Sequence, residues 1–189
     1  SFSSRKKFKA MQVAMDEETT NQTEQSGSSQ NIDQLESESG LDPKGKALMQ
    51  LLPTALSLWA PTISHSLDEV LITVDPKNLL EVAHLLRTKQ DLSFDRLRCL
   101  SIVDYEEYFQ VVYHMWSRLH RHKAVLRTNV VGEEPLVASV TSVWRDANWF
   151  EREGHELFGI NFDGHPDLKP LLLWENFEGF PGRKSYPFP

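Results

Sequence analysis

Three runs decide the fold: Leu97-Arg98-Cys99-Leu100-Ser101-Ile102-Val103, then Tyr108-Phe109-Gln110-Val111-Val112-Tyr113-His114-Met115-Trp116, then Lys123-Ala124-Val125-Leu126-Arg127-Thr128-Asn129-Val130-Val131. Each is rich in β-branched or aromatic residues, the composition that suits a pleated, half-buried surface. Asp104-Tyr105-Glu106-Glu107 turns the chain between the first two. Short connections make successive strands neighbours, so the three runs predict an antiparallel meander. Val70-Leu71-Ile72-Thr73-Val74 predicts one strand more.

Helices are expected around this sheet. Asp75-Pro76 starts one, because Asp caps a helix well and Pro suits its first position. Leu79, Leu80, Ala83, Leu85 and Leu86 continue it as an apolar stripe. Ala47-Leu48-Met49-Gln50-Leu51-Leu52 is helix-friendly up to Pro53. Val140, Val143, Trp144, Ala147, Phe150, Leu157 and Phe158 fall near one helical face, with Gly159 as a natural C-cap. The expected architecture is α+β: a mostly antiparallel sheet of about four strands with helices packed on it, plus an extended irregular C-terminal segment.

Three regions divide the 189 residues. Residues 1–45 form a polar acidic tail. Its stretch 16–42 holds eight acids and no Lys or Arg, too little apolar surface to offset the entropy of ordering without a partner. Residues 46–160 form the globular domain. Residues 161–189 carry Pro166, Pro170, Pro181, Pro187 and Pro189 together with Phe162, Leu171, Leu172, Leu173, Trp174, Phe177, Phe180, Tyr186 and Phe188. So many large apolar groups on a proline-rich segment are expected to need a partner's cover.

Bulk chemistry excludes several classes. A net charge of −7 argues against nucleic acid, whose phosphates need clustered Lys and Arg. The single cysteine, Cys99, cannot hold an iron–sulfur cluster, which usually takes several, and is expected to be a small buried hydrophobe. No apolar run reaches the ~18–20 residues that span a bilayer. The chain begins with Ser1 rather than Met, and Arg5, Lys6, Lys7 and Lys9 precede any acid. A processed organellar presequence and an ordinary basic arm both fit that start.

Glu151-Arg152-Glu153-Gly154-His155-Glu156-Leu157-Phe158 and Asp163-Gly164-His165-Pro166-Asp167 concentrate acids and imidazoles in a short span. Glu153 and His155 lie two apart, on opposed helix faces, so they miss the i, i+4 spacing of a helical zinc site. No nucleophile elbow, phosphate loop or dinucleotide turn accompanies them. Only a fold-back of the Gly164-His165-Pro166 turn could gather Glu153, His155, Glu156 and His165 as the site of a metal-dependent enzyme. Beside it stand a structural reading, in which Arg152 pairs with Glu156 and His165 makes a local turn bond, and an interface. Acids on the last helical turns oppose the helix dipole, so cations are expected to reach them from Arg183, Lys184 or a partner.

The stretch Trp144-Arg145-Asp146-Ala147-Asn148-Trp149-Phe150-Glu151-Arg152-Glu153, then Leu157-Phe158-Gly159-Ile160, then Phe162-Asp163-Gly164-His165-Pro166-Asp167-Leu168, resembles one family. It is the C-type, or thirty-kilodalton, subunit of respiratory complex I, the proton-pumping NADH:quinone oxidoreductase. That family reads Glu-Arg-Glu-x-x-Asp-Leu-Phe-Gly-Ile, then Gly-His-Pro-Asp-Leu, then Pro-Leu-Arg-Lys-Asp-Tyr-Pro. The resemblance covers about residues 66–187. The chain departs from it at Glu156, Pro170, Trp174, Gly182 and Ser185.

The resemblance implies a non-catalytic brace in the peripheral arm, beside the quinone-site (forty-nine-kilodalton type) subunit, which the C-terminal segment crosses. NADH, FMN, iron–sulfur clusters and quinone would belong to partner subunits, with no catalytic, cofactor or metal residue in this chain. Glu151, Arg152, Glu153, His165, Pro166, Arg183, Lys184 and Tyr186 would be the partner interface. Membrane association would come only through partners, on the matrix side of the mitochondrial inner membrane or the cytoplasmic face of a bacterial plasma membrane. An equivalent subunit of a membrane-bound hydrogenase or other quinone-linked complex is the alternative.

Overall fold

The structure is a computed structural model that describes residues 40–174 and 176–187. The acidic stretch of the expected tail up to residue 39 lies outside the described residues. Strands β3 (Arg96–Asp104), β4 (Phe109–Ser117) and β5 (His122–Val130) form the expected antiparallel meander, with Leu97 opposite Met115 and Tyr113 opposite Leu126. Strand β2 (Glu69–Val74) joins β5 in parallel, and β1 (Thr62–Ser66) pairs antiparallel with β2. The sheet therefore has five strands, ordered β1-β2-β5-β4-β3. Sequence reasoning missed β1 because Thr62-Ile63-Ser64-His65-Ser66 carries one large apolar residue and no fully buried one. Its hairpin also lacks the usual Gly or Asn signal: Leu67 takes the left-handed φ of 51°.

Helix α1 (Pro43–Ala55) starts earlier than residue 46. Asp42 Oδ1 accepts from Gly45 N at 2.7 Å, Pro43 fills the first turn, and Leu41 already belongs to the core. Pro53 does not stop it, because a proline in the last turn removes one hydrogen bond from a helix about to end. Asp42→Ala should lower stability by about 1 kcal/mol. A urea midpoint that falls at constant m-value is the expected reading; an unmoved midpoint would show that the cap contributes nothing.

Asp75 accepts from Lys77 N at 3.0 Å and opens a 3-10 turn (Pro76–Asn78) that runs into α2 (Leu79–Thr88). Leu79, Val82, Ala83 and Leu86 are its buried stripe. Two expectations are corrected. Val140, Val143 and Trp144 are buried but lie in consecutive turns, and helix α3 (Ala147–Phe158) begins only after them. Their bonds, Val143 N to Val140 O at 2.9 Å and Trp144 N to Val140 O at 2.8 Å, give near-helical spacing without a continuous helix. Cys99 is exposed, not buried. The register of β3 shifts between Leu97 and Cys99, so the core-facing positions become Leu97 and Leu100 and the thiol turns outward.

Gly159 ends α3 as expected, at φ 71°, its N–H donating to His155 O at 2.8 Å. A second, parallel sheet pairs β6 (Leu136–Ala138) with β7 (Asn161–Asp163) and was not anticipated; three residues a side are too few to carry a period. Helix α3 lies on β3 so closely that a Cβ on Gly154 would sit 2.5 Å from Ile102 Cδ1.

Candidate docking site along helix α3

Ala147, Glu151 and Gly154 lie at i, i+4 and i+7, so one line of α3 faces the core and carries a glutamate with it. Glu151 is fully buried. Its carboxyl accepts from Ser139 Oγ at 2.6 Å and Val140 N at 2.8 Å, tying α3 to the turn after β6. Burial pushes its pKa up from 4.5 to about 7, against the lowering effect of those two hydrogen bonds. Tyr113 is buried nearby; burial, and secondarily the charge of Glu151, hold its phenol well above the usual range. Glu151 is thus a core residue, and the expectation of a partner-facing contact is corrected for it.

Arg152 and Glu156 face the C-terminal segment. Arg152 does not bond Glu156. Its Nε donates to Lys169 O and its Nη2 to Pro170 O, both at 2.8 Å. Glu156, 6% exposed, instead accepts three successive backbone N–H groups: Leu171 at 2.9 Å, Leu172 at 2.7 Å and Leu173 at 3.2 Å. A carboxylate that gathers several N–H donors gains charge-assisted bonds roughly twice as strong as neutral ones. The cations expected to reach these acids are therefore replaced by backbone N–H groups and a hydroxyl. Sequence spacing offered no sign of the Glu156 arrangement, which depends on the path of a distant loop. Glu153 is half-buried beside Cys99, Ser101 and Ile102 in a shallow groove between α3 and β3.

His165 makes the local turn bonds of the structural reading. Its Nδ1 accepts from Asp167 N, so its Nε2 carries the proton and donates to Asn148 O; both distances are 3.1 Å. Pro166 follows it, exposed. Farther along, Arg183 lies against its own domain. Its Nε donates to Phe158 O at 2.7 Å, and its guanidinium sits 5.1 Å from the Phe109 ring centre and 4.6 Å from that of Phe180. The Lys184 N–H donates to Asp104 Oδ2 at 2.9 Å and its amine lies 3.5 Å from Glu106. Tyr186 N donates to Arg183 O at 3.0 Å, and its ring is 6.2 Å from that of Phe177.

The proline-rich segment is thus strapped to α3 and to the β3–β4 turn, where the sequence alone had its large apolar groups needing a partner's cover. What it leaves outward is specific: Leu172 is 62% and Trp174 70% exposed. Among the described residues no group of three or more His, Cys, Asp or Glu is placed to hold a metal, and Glu153 and His155 do not converge on one. Among the described residues the arrangement binds and orients the C-terminal segment.

Residues 72–189 match the family described as respiratory-chain NADH dehydrogenase, 30 Kd subunit. The NADH-quinone oxidoreductase C 2 subunit of Rhizobium meliloti (strain 1021) is 43% identical over 117 residues, covering 60% of this chain and 64% of its own length. The C subunit of the same enzyme from Coxiella burnetii (strain Dugway 5J108-111) is 37% identical over 154 residues, covering 64% of this chain and 68% of its own. The chain spans just under two thirds of the Rhizobium meliloti relative. Among solved structures, the trypsin-resistant fragment (1-134) of Nqo5 matches with a TM-score of 0.54 at 30% identity, over 64% of this chain and 98% of the fragment. A chain of the archaeal membrane-bound sulfane sulfur reductase matches with a TM-score of 0.64 at 16% identity, over 73% and 84%, a likeness of fold alone. With the family matched from β2 to its last residue, this chain belongs to the respiratory-chain NADH dehydrogenase 30 Kd subunit family.

Proposed function

We propose that the chain is a non-catalytic structural subunit of the peripheral arm of NADH:quinone oxidoreductase, bracing the quinone-site subunit during electron transfer from NADH to quinone. The observation that carries this reading is the strap: its backbone is fastened to α3 through Arg152 and Glu156, while Leu172 and Trp174 stand outward at 62% and 70% exposure. Paired large apolar groups on a held backbone are what a partner's groove takes up, because little ordering entropy is left to lose on binding. Of the residues expected at the interface, Arg152, His165, Lys184 and Tyr186 would then position this strap more than they touch the partner. NADH, FMN, iron–sulfur clusters and quinone would be held by other subunits.

No helix among the described residues is long and apolar enough to cross a membrane. In the proposal the chain reaches the membrane through its partners, on the matrix side of the mitochondrial inner membrane or the equivalent bacterial face. The likeness to a chain of an archaeal respiratory membrane complex supports one second reading, the same bracing role in a related complex.

Purification of the tagged protein from its own membranes, with mass spectrometry of what accompanies it, tests both. The expected companions are the quinone-site subunit and its peripheral-arm neighbours. Hydrogenase-type or sulfur-reductase partners would move the chain to the second reading, and no stable companions would overturn both. Leu172→Ser with Trp174→Ser should cut recovery of the quinone-site subunit at least tenfold while leaving thermal unfolding of the free chain unchanged. Stoichiometric iron or flavin in the isolated chain would overturn the non-catalytic role.

A further inference from the structure

We infer that the strap from His165 to Tyr186 has two unequal clasps, a fixed one at Glu156 and a releasable one at Arg183, with a hinge between them at Asn176 and Gly179. The use of the release, to hand Arg183 to an acidic group on a partner, rests on the docking role proposed above; the order of the two clasps does not.

The proximal clasp is complete. Glu156 is 6% exposed and both its oxygens are engaged, by three consecutive N–H groups. Arg152 holds the two carbonyls just before them, those of Lys169 and Pro170. Opening this end would strip a buried carboxylate of every partner it has, the costly way to break a polar network.

The distal clasp is incomplete. Arg183 spends its Nε on Phe158 O and lies between the rings of Phe109 and Phe180. Its Nη2 is buried with no hydrogen-bond partner among the described residues. A buried N–H of a cation without an acceptor is a standing penalty that solvent or a partner's carboxylate would remove. Phe180, the outer ring of the sandwich, is 37% exposed. Gly159 is shaped to this contact: a Cβ there would meet Arg183 Nη2 and Phe180 at 2.7 Å. Gly182 fits as closely, its N–H on Leu157 O at 2.8 Å and its absent Cβ only 2.8 Å from the Phe158 ring. This is where the chain departs from the family's leucine, a side chain the slot could not admit.

Between the clasps, Asn176 and Gly179 adopt left-handed φ values of 66° and 87°. Residues at such φ values end regular pairing and let the chain change direction there. The chain thus changes direction at Asn176 and again at Gly179, between the two clasps.

Amide hydrogen exchange of the free, full chain, resolved by residue, tests the hierarchy. The amides of Leu171, Leu172 and Leu173 should be slow, and those of Gly182 and Arg183 at least tenfold faster. Arg183→Gln should speed the distal amides a further tenfold or more and leave the proximal ones unchanged; Glu156→Gln should speed the proximal ones. Equal rates at the two ends, or both ends loosening together in Arg183→Gln, would overturn the inference. Loss of β4 amide protection in Arg183→Gln would mean that the variant unfolds. Phe180→Leu, which removes only the outer ring, then decides by the same two readings. None of these measurements involves a partner, so failure of the co-purification experiment and failure of the clasp order remain distinguishable.

Discussion

Trp144→Ala should remove about 3–5 kcal/mol of folding stability, the range for truncating a large buried aromatic. Trp144 is 1% exposed and among the largest fully buried side chains. Its indole N–H also donates to Phe94 O at 2.8 Å, so the truncation leaves a buried carbonyl without its donor. Domains of this size hold about 5–15 kcal/mol in all, which makes the loss a large share of the whole. Trp149, five residues on and 64% exposed, is the contrast: its alanine variant should stay within about 0.5 kcal/mol of the parent. Urea unfolding of the two variants side by side decides. A Trp144→Ala midpoint close to that of Trp149→Ala would mean that the turn before α3 collapses around the gap and that the core does not depend on the indole.

The two tryptophans also show what the sequence could and could not reveal. Both lie in the stretch that carries the family resemblance, and periodicity put Trp144 correctly on the buried face. It placed that face on a helix, because turns bonded at i+3 and i+4 keep nearly the helical spacing. The meander was legible because β3, β4 and β5 are long and joined by short turns. The parallel docking of β2 onto β5 was not, since nothing local in either strand encodes a pairing across some fifty residues. For the acids, the expectation of cation partners failed twice. Ala147, Glu151 and Gly154 follow the i, i+4, i+7 line of a buried stripe, and that spacing was a usable sign that Glu151 points inward. Glu156 had no such sign, because its partners are backbone N–H groups of a loop that periodicity cannot place. Cys99 was misjudged for a local reason: one shift of register reverses the side a residue faces.

Glu151→Gln should change how stability depends on pH, by about 3 kcal/mol across the neutral range. In the unfolded chain this carboxyl releases its proton near pH 4.5; in the folded one burial delays the release to about pH 7. Between those values the folded state keeps a proton that the unfolded state has lost. The contribution of Glu151 is therefore fully present below pH 4.5 and is lost as pH rises through about 7. Gln keeps the shape and an acceptor for Val140 N without titrating, so its stability relative to the parent should improve steadily over that window. His122 works in the opposite sense. Burial holds its imidazole below the usual range, and its contribution is lost as pH falls. It is unchanged in the variant, so the difference between the two proteins isolates Glu151. The tether matters beyond the core: Ser139 and Val140 follow β6, β6 pairs with β7, and β7 leads into His165 at the root of the strap. Ionisation of Glu151 should thus loosen the base of the docking segment before the central sheet. Urea unfolding at several pH values between 4.5 and 8 measures the effect. A constant difference between Glu151→Gln and the parent over that range would show that the carboxylate is already ionised in the folded protein, with water or a rearranged Tyr113 hydroxyl meeting its charge.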